Sequence, residues 1–203
     1  MPYKRTVQSL LITMLCVLLS VNVAAQNLTE VYVNSDTDLS DFSKVILREL
    51  DINGAQIIPP VWVQGEDRNP HKWKISKKNV RLMQEAFQSV VKRELGGSGG
   101  YPVVTDESDG VLEIKVGLLS LTPYAQRGEK VITKGSGEIR IQVTLRNAMT
   151  GVLLAIYEGN QRVGDKYQEN TDLSSRKDAE ELFVVWGQKI RRVLDEAHTI
   201  NSE

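Results

Sequence analysis

Between residues 134 and 161 the chain reads as two strands joined by a tight turn, and this stretch restricts the fold more than any other. In its first half Ile139, Ile141, Val143 and Leu145 alternate with Glu138, Arg140, Gln142, Thr144 and Arg146. Alternation of period two predicts a strand with one buried face and one wet face. Ala148-Met149-Thr150-Gly151 reads as the turn, and residues 152–158 as the returning strand of a β-hairpin. A sheet with one apolar face needs a second layer to cover it.

Two amphipathic helices can supply that layer. In the first, Val80, Met83, Phe87, Val90, Val91 and Leu95 recur at helical spacing behind Ser76, an N-cap residue type, and Gly96 is expected to end it in a left-handed conformation. The second is predicted over residues 176–198. Its stripe is Ala179, Leu182, Phe183, Trp186, Ile190, Val193, Leu194 and Ala197, and Ser175 with Asp178 fits a capping box. Further strands are predicted at 28–33, 44–52 and 111–121. In the second of these the apolar face switches from Val45 and Leu47 to Leu50 and Ile52, which implies a bulge. Residues 124–133 and 164–174 read as polar loops. The expected class is α+β: a two-layer sandwich with a mostly antiparallel sheet of about four strands and two helices on one face. Strand 44–52 should cross to strand 111–121 through the first helix in the right-handed sense.

Residues 1–25 have the layout of a secretory signal peptide. Lys4 and Arg5 precede an apolar run at 10–21, and Val23-Ala24-Ala25 is a small-residue cleavage site. The run falls short of the roughly 20 apolar residues of a membrane span. The expected product is one periplasmic α+β domain, residues 26–203 with its core at about 30–198, and no transmembrane segment. The full chain has 25 Lys and Arg against 26 Asp and Glu; removal of two cations and no acid leaves a net charge of −3. That balance argues against a nucleic-acid binder, which would be strongly basic. Cys16, the only cysteine, lies inside the apolar run behind Leu15. It has no lipobox context, so a lipid anchor is not expected there, and the mature chain has no thiol chemistry.

The segment 53–74 is irregular, with Gly54, Pro59, Pro60, Gly65 and Pro70, yet it holds Trp62, His71 and Trp73. Loops of this length in compact domains often carry function. Beside it, Lys72, Lys74, Lys77, Lys78 and Arg81 crowd the start of the first helix, where positive charge opposes the helix dipole. These eight residues, Trp62, His71, Lys72, Trp73, Lys74, Lys77, Lys78 and Arg81, form the candidate binding surface for an envelope protein or an anionic envelope component. The blander reading makes the tryptophans a lid and the cations a solvated face.

Other motifs point to less. The glycines at 96–100 follow a helix, and Gly135-Ser136-Gly137 leads into a strand; a phosphate loop needs a helix N-terminus after it. Asp106, Glu107 and Asp109 do not have EF-hand spacing. No nucleophile motif is present, and no cofactor or metal is implied. Glu49 and Asp51 share one side of a strand and are the carboxylates a small hydrolase-like periplasmic enzyme would use.

Asp41-Phe42-Ser43-Lys44-Val45-Ile46-Leu47, Gly100-Tyr101-Pro102-Val103-Val104, Leu145-Arg146-Asn147-Ala148-Met149-Thr150-Gly151-Val152-Leu153-Leu154-Ala155 and Trp186 resemble the bacterial family known as domain of unknown function 3313. The resemblance spans about 30–198 and implies an envelope protein, often a lipoprotein, with no catalytic residue to carry over. Asn147 stands where the family usually has aspartate, and the lipobox is missing. The function expected is a non-enzymatic binding or accessory module of the envelope. The alternatives are the small enzyme above and a structural subunit of an envelope assembly.

Overall fold

The computed structural model describes residues 28–200 apart from 70, 72, 74 and 127. The expected signal peptide, with Cys16, lies outside the described residues. The described residues form eight strands and two long helices: β1 (Thr29–Val33), β2 (Lys44–Leu47), β3 (Gln56–Ile57), α1 (Lys77–Gly96), β4 (Val111–Pro123), β5 (Ile132–Lys134), β6 (Gly137–Asn147), β7 (Leu153–Val163), β8 (Tyr167–Glu169) and α2 (Asp172–Ile200). The α+β class is as expected. The main sheet is larger than the four strands expected, with six, in the order β1-β7-β6-β4-β2 and β3 beside β4. It is mixed: β2 and β3 run parallel to β4, and the other pairs are antiparallel. The polar loops at 124–133 and 164–174 each contribute a short strand, β5 and β8, which pair as a separate ribbon. Ile132 and Tyr167 in these strands are exposed, so no alternation of burial marks them in the sequence.

The hairpin forms as its pattern predicts and runs further, to Val163. Ile139, Ile141, Val143 and Leu145 are all buried. Asn147 builds the turn: its side-chain oxygen accepts from the backbone N–H groups of Met149 and Thr150, both at 3.0 Å. An aspartate could accept the same two bonds, so the role of this position is a turn rather than chemistry.

The bulge expected near Leu50 is real. Leu47 stands opposite Ile114 and Asp51 opposite Gly117, one residue more on the first strand than on β4. The extra residue lets Val45, Leu47, Leu50 and Ile52 all reach the core. Two α1 glutamines satisfy carbonyls that it displaces: Gln88 Nε2 donates to Arg48 O at 2.9 Å, and Gln84 Nε2 to Leu50 O at 3.1 Å.

Helix α1 starts where the sequence places it, with Ser76 Oγ accepting from Asn79 N at 3.1 Å. Its end differs. Gly96 is still helical, and positive φ appears at Gly99 instead. A Cβ on Gly100 would overlap the carbonyl oxygen of Leu95, so these glycines permit a tight return rather than a loose loop. Helix α2 begins four residues before the expected start. Thr171, not Ser175, caps it, its Oγ1 accepting from Ser174 N at 3.0 Å. Asp178 is diverted from any capping box. It is only 4% exposed and accepts from Ser136 Oγ at 2.5 Å and Gln168 Nε2 at 2.6 Å.

The two helices are parallel. Phe87 meets Phe183, Val91 meets Gly187, the Glu94 carboxylate meets Gln188, and Tyr101 just beyond α1 meets Asp195. Because the residue numbers rise together, both N-termini lie at one end of the fold. The last residues of β4 and β7 lie at that same end.

Candidate functional site

The loop between β2 and α1 is carried to that end by β3, which pairs Gln56 with Ser120 and Ile57 with Leu121 on β4. Pro59 and Pro60 are buried, and the chain then turns outward, with Val63 N donating to Pro60 O at 3.0 Å. That turn leaves Trp62 59% exposed. Further on, a short 3-10 turn at Gly65–Arg68 folds back, and Trp73 enters the interior. Trp73 is 5% exposed, and its Nε1 donates to Asp67 O at 2.7 Å. The two tryptophans expected to act together therefore have different environments: Trp73 plugs the loop onto the body, while Trp62 faces outward.

Trp62 stands against Tyr124, with ring centroids 5.6 Å apart and planes at 56°. The Tyr124 hydroxyl donates to Glu138 Oε1 at 2.7 Å. Burial, then the bond to Glu138, pushes this phenol up to about 12, so it remains a neutral donor. These rings form one wall of an open cleft of about 660 Å³. The lining continues with Ile132 and Lys134 on β5, Arg162 near the end of β7, which pairs with Glu138 at 3.8 Å, and Asp165 on the β7–β8 turn. Gly164, on that turn, packs so closely on Asp178 that any Cβ would overlap the carboxylate. The buried Asp178 thereby fixes this part of the lining to α2 through Ser136, Gln168 and this close approach.

Trp73 also lines a second cavity, of about 410 Å³, between the N-terminal halves of α1 and α2 and the sheet end. Its floor is apolar, from Ile57, Leu82, Met83, Leu121, Ile139 and Val163. Both volumes fall within the roughly 300–1,000 Å³ usual for ligand sites. Gln126 and Trp73 line both cavities, so one side chain of the loop separates an aromatic outer cleft from an apolar inner groove.

The other expected site residues that are described are not gathered here. His71 is exposed and lines neither cavity, and its backbone N–H donates to Asn69 Oδ1. Lys72 and Lys74 fall outside the described residues. Lys77, Lys78 and Arg81 are exposed on the first turns of α1; they line neither cavity, and Arg81 pairs with Glu85 at 3.5 Å. Glu49 and Asp51 line neither cavity either. Asp51 instead pairs with Lys115 at 2.9 Å, whose hydrogen bond holds its carboxyl below the usual range. In the acidic turn, Glu107 pairs with Arg48. Tyr124 and Arg162 were not singled out from the sequence, and the groove residues Met83, Ser175 and Ala179 were read there only as helix stripe and cap. Tyr124 follows Pro123 at the end of a strand, and that position was the one available signal.

The family model described as "Protein of unknown function (DUF3313)" matches residues 18–190. The chain belongs to this family. No curated relative matches it. Among solved structures it is similar to protein XCC0632 from Xanthomonas campestris at 9% identity and a TM-score of 0.47, over 87% of this chain and 98% of that one. It is also similar to PelC, a dodecamer from Paraburkholderia phytofirmans, at 9% identity and a TM-score of 0.41, over 83% of this chain and 98% of that one. Among the described residues no helix is long and apolar enough to cross a membrane.

Proposed function

We propose that this member of the family is exported to the periplasm by its first 25 residues and acts there as a non-enzymatic binding module of the envelope. Its ligand occupies the outer cleft. The observation that carries this reading is Trp62: a large aromatic side chain held 59% exposed against Tyr124 on the wall of a cleft. Keeping such a ring in water forgoes burial worth about 1.5–3 kcal/mol for a large apolar side chain, and a partner that covers it recovers that energy. A ligand with a flat or sugar-ring face would stack on the pair. Export is supported by the order of charged, apolar and small residues in 1–25, and the envelope setting by the character of the family.

Soluble oligosaccharides released from the bacterial envelope should quench the tryptophan fluorescence of the mature protein, and Trp62→Ala should abolish both the response and the binding. Binding that survives Trp62→Ala combined with Tyr124→Ala would sink the proposal. Turnover of the same oligosaccharides would favour the enzyme alternative instead.

A further inference from the structure

From the buried carboxylate of α2 we infer a positioning residue: Asp178 lines neither cavity, yet it holds the β5–β8 ribbon in place and thereby sets the form of the outer cleft. This deepens the binding reading and rests on it for what the cleft captures, whereas the docking of the ribbon is measurable without any ligand.

The ribbon needs a tether. Ile132, Thr133 and Lys134 of β5 line the cleft, as do Gly164 and Asp165 before β8. Yet the two strands are three residues long and pair only with each other. Ile132 and Tyr167 are 74% and 76% exposed, and the half-buried residues between their neighbours, Thr133 and Gln168, are polar. No apolar side chain of β5 or β8 is therefore part of the core, and a two-stranded ribbon is marginal by itself in water.

Asp178 makes good that lack of burial. It stands beside Ala179 on the covered side of α2, where a charged group is unfavourable unless donors surround it. Both donors come from the ribbon and its root: Gln168 Nε2 of β8 at 2.6 Å, and Ser136 Oγ, on the turn that leaves β5, at 2.5 Å. Bonds to an ionised acceptor are roughly twice as strong as neutral ones. Gly164 lies against the same carboxylate, and a Cβ on Gly135 would overlap the carbonyl oxygens of Val163 and Gly164. The two roots of the ribbon thus meet over one side chain. Among the described residues, its other side-chain links to the body are local or long. Ser174 Oγ donates to Glu169 O, five residues away, at 2.9 Å. Asn170 Nδ2 reaches Gln126 O at 3.4 Å and Glu129 O at 3.3 Å, and Lys166 pairs with Glu181 at 3.8 Å on the surface. Without the Asp178 carboxylate, Ser136 and Gln168 lose their acceptor and the roots lose their common support.

Hydrogen exchange of the mature protein, read by mass spectrometry on peptides covering 131–136 and 164–170, measures the docking. Asp178→Ala should speed exchange there about tenfold and leave β6, β7 and α1 unchanged. Asp178→Asn, which keeps an acceptor oxygen without the charge, should fall between. Titration with the soluble envelope oligosaccharides measures the consequence for the cleft. Asp178→Ala should weaken their capture about tenfold, and Ser136→Ala with Gln168→Leu should do the same. The triple variant should be no weaker than Asp178→Ala, because all three residues act through one contact. If Asp178→Ala does not fold, the Ser136→Ala, Gln168→Leu variant gives both readings. Exchange that is unchanged or rises evenly across the domain, losses that add in the triple variant, or full capture by a protein with a released ribbon would overturn the inference. Each of these leaves the binding reading standing as long as Trp62→Ala still abolishes capture. Wild-type protein that captures no oligosaccharide sinks the binding reading itself, and the role of Asp178 in the cleft with it.

Discussion

The two ends of the α1–α2 pair are made by the same helices over the same sheet, yet one is closed and the other open. At the closed end Phe87, Phe183 and Trp186 interlock, with centroid separations of 5.3–6.4 Å. Gly187 lets the helices approach until a Cβ there would lie 2.6 Å from the Cβ of Glu94. At the open end Leu82, Met83 and Ala86 of α1 and Ala179 of α2 line a cavity of about 410 Å³, with Asn79, Ser175 and Arg176 also in its lining. An apolar stripe of uniform period can therefore serve two purposes along its length. Where its rings interlock across the helix pair it is core; where its side chains do not meet it becomes the wall of a cavity. Substitutions at each end test that division.

The largest effect should come from the closed end. Trp186 is buried among the aromatic rings, and Trp186→Ala should lower the unfolding free energy by about 3–5 kcal/mol. Its indole N–H is buried without an acceptor among the described residues. Trp186→Phe removes that orphan donor along with part of the ring, so its cost should stay under about 1.5 kcal/mol. Denaturant unfolding monitored by circular dichroism measures both. A small effect of Trp186→Ala would mean that the closed end is not closed.

Next is Trp73, which belongs to the open end but is itself buried. Trp73→Ala should cost about 3 kcal/mol, the lower edge of the range for large aromatics, and should merge the two cavities. A loss below about 1 kcal/mol would show that the loop is not fastened through this ring.

The contrast between Trp62 and Trp73 also marks the limit of what the sequence shows. Both lie in one irregular, proline-bearing segment, and such a segment has no period from which to read a buried side. Where a period exists, the reading is good: the hairpin, both helical stripes and the bulge at Leu50 follow from spacing. The Ser76 cap was legible because no nearby residue competes for it. The cap of α2 was not, because Ser175 and Asp178 match a local motif while Asp178 is held by Ser136 and Gln168, distant in sequence or outside the helix. The β5–β8 ribbon was hidden because its exposed residues mix the apolar Ile132 and Tyr167 with Lys134 and Glu169 and its strands are only three residues long. The parallel course of the helices, which gathers the candidate site at one end, follows from the expected crossover between β2 and β4 through α1 together with the hairpin, which leaves β7 parallel to β2 and sends both helices back in the same direction.

Gly187→Ala should give a smaller loss. Alanine favours the helix by about 1 kcal/mol over glycine, but the new methyl must push against Glu94 Cβ and the Val91 backbone. Overpacking of this kind costs about 1–3 kcal/mol, so the net change should be destabilising by about 1 kcal/mol. A stabilised variant would show that the helices can separate freely at their closest point.

A tyrosine at each end should make alkaline pH a probe of both. Burial and then the bond to Asp195 push Tyr101 up to about 12 at the closed end; burial and then the bond to Glu138 do the same for Tyr124 at the open end. A raised pKa means that the folded state holds the proton more tightly. The stabilisation is complete below pH 10 and is lost as pH rises from about 10 to 12. Tyr101→Phe and Tyr124→Phe should each flatten part of that decline. If only Tyr101→Phe did so, Tyr124 would have less restraint than its bond to Glu138 implies.

The smallest effect on stability should come from Trp62→Ala. Its ring is more than half exposed, its contact with Tyr124 is at the surface, and no hydrogen bond from its indole holds the loop. Exposed substitutions of this kind usually stay within about 0.5 kcal/mol. The same ring on the body side of the loop, at Trp73, should be worth several times as much. Thermal melts of the two single variants, run side by side, therefore separate a fastening residue from a contact residue. If Trp62→Ala were as costly as Trp73→Ala, Trp62 would be part of the lid and the outer cleft would lose its basis as a binding surface. If it were nearly silent in the melt but decisive in ligand capture, its exposure would be the functional feature of the loop.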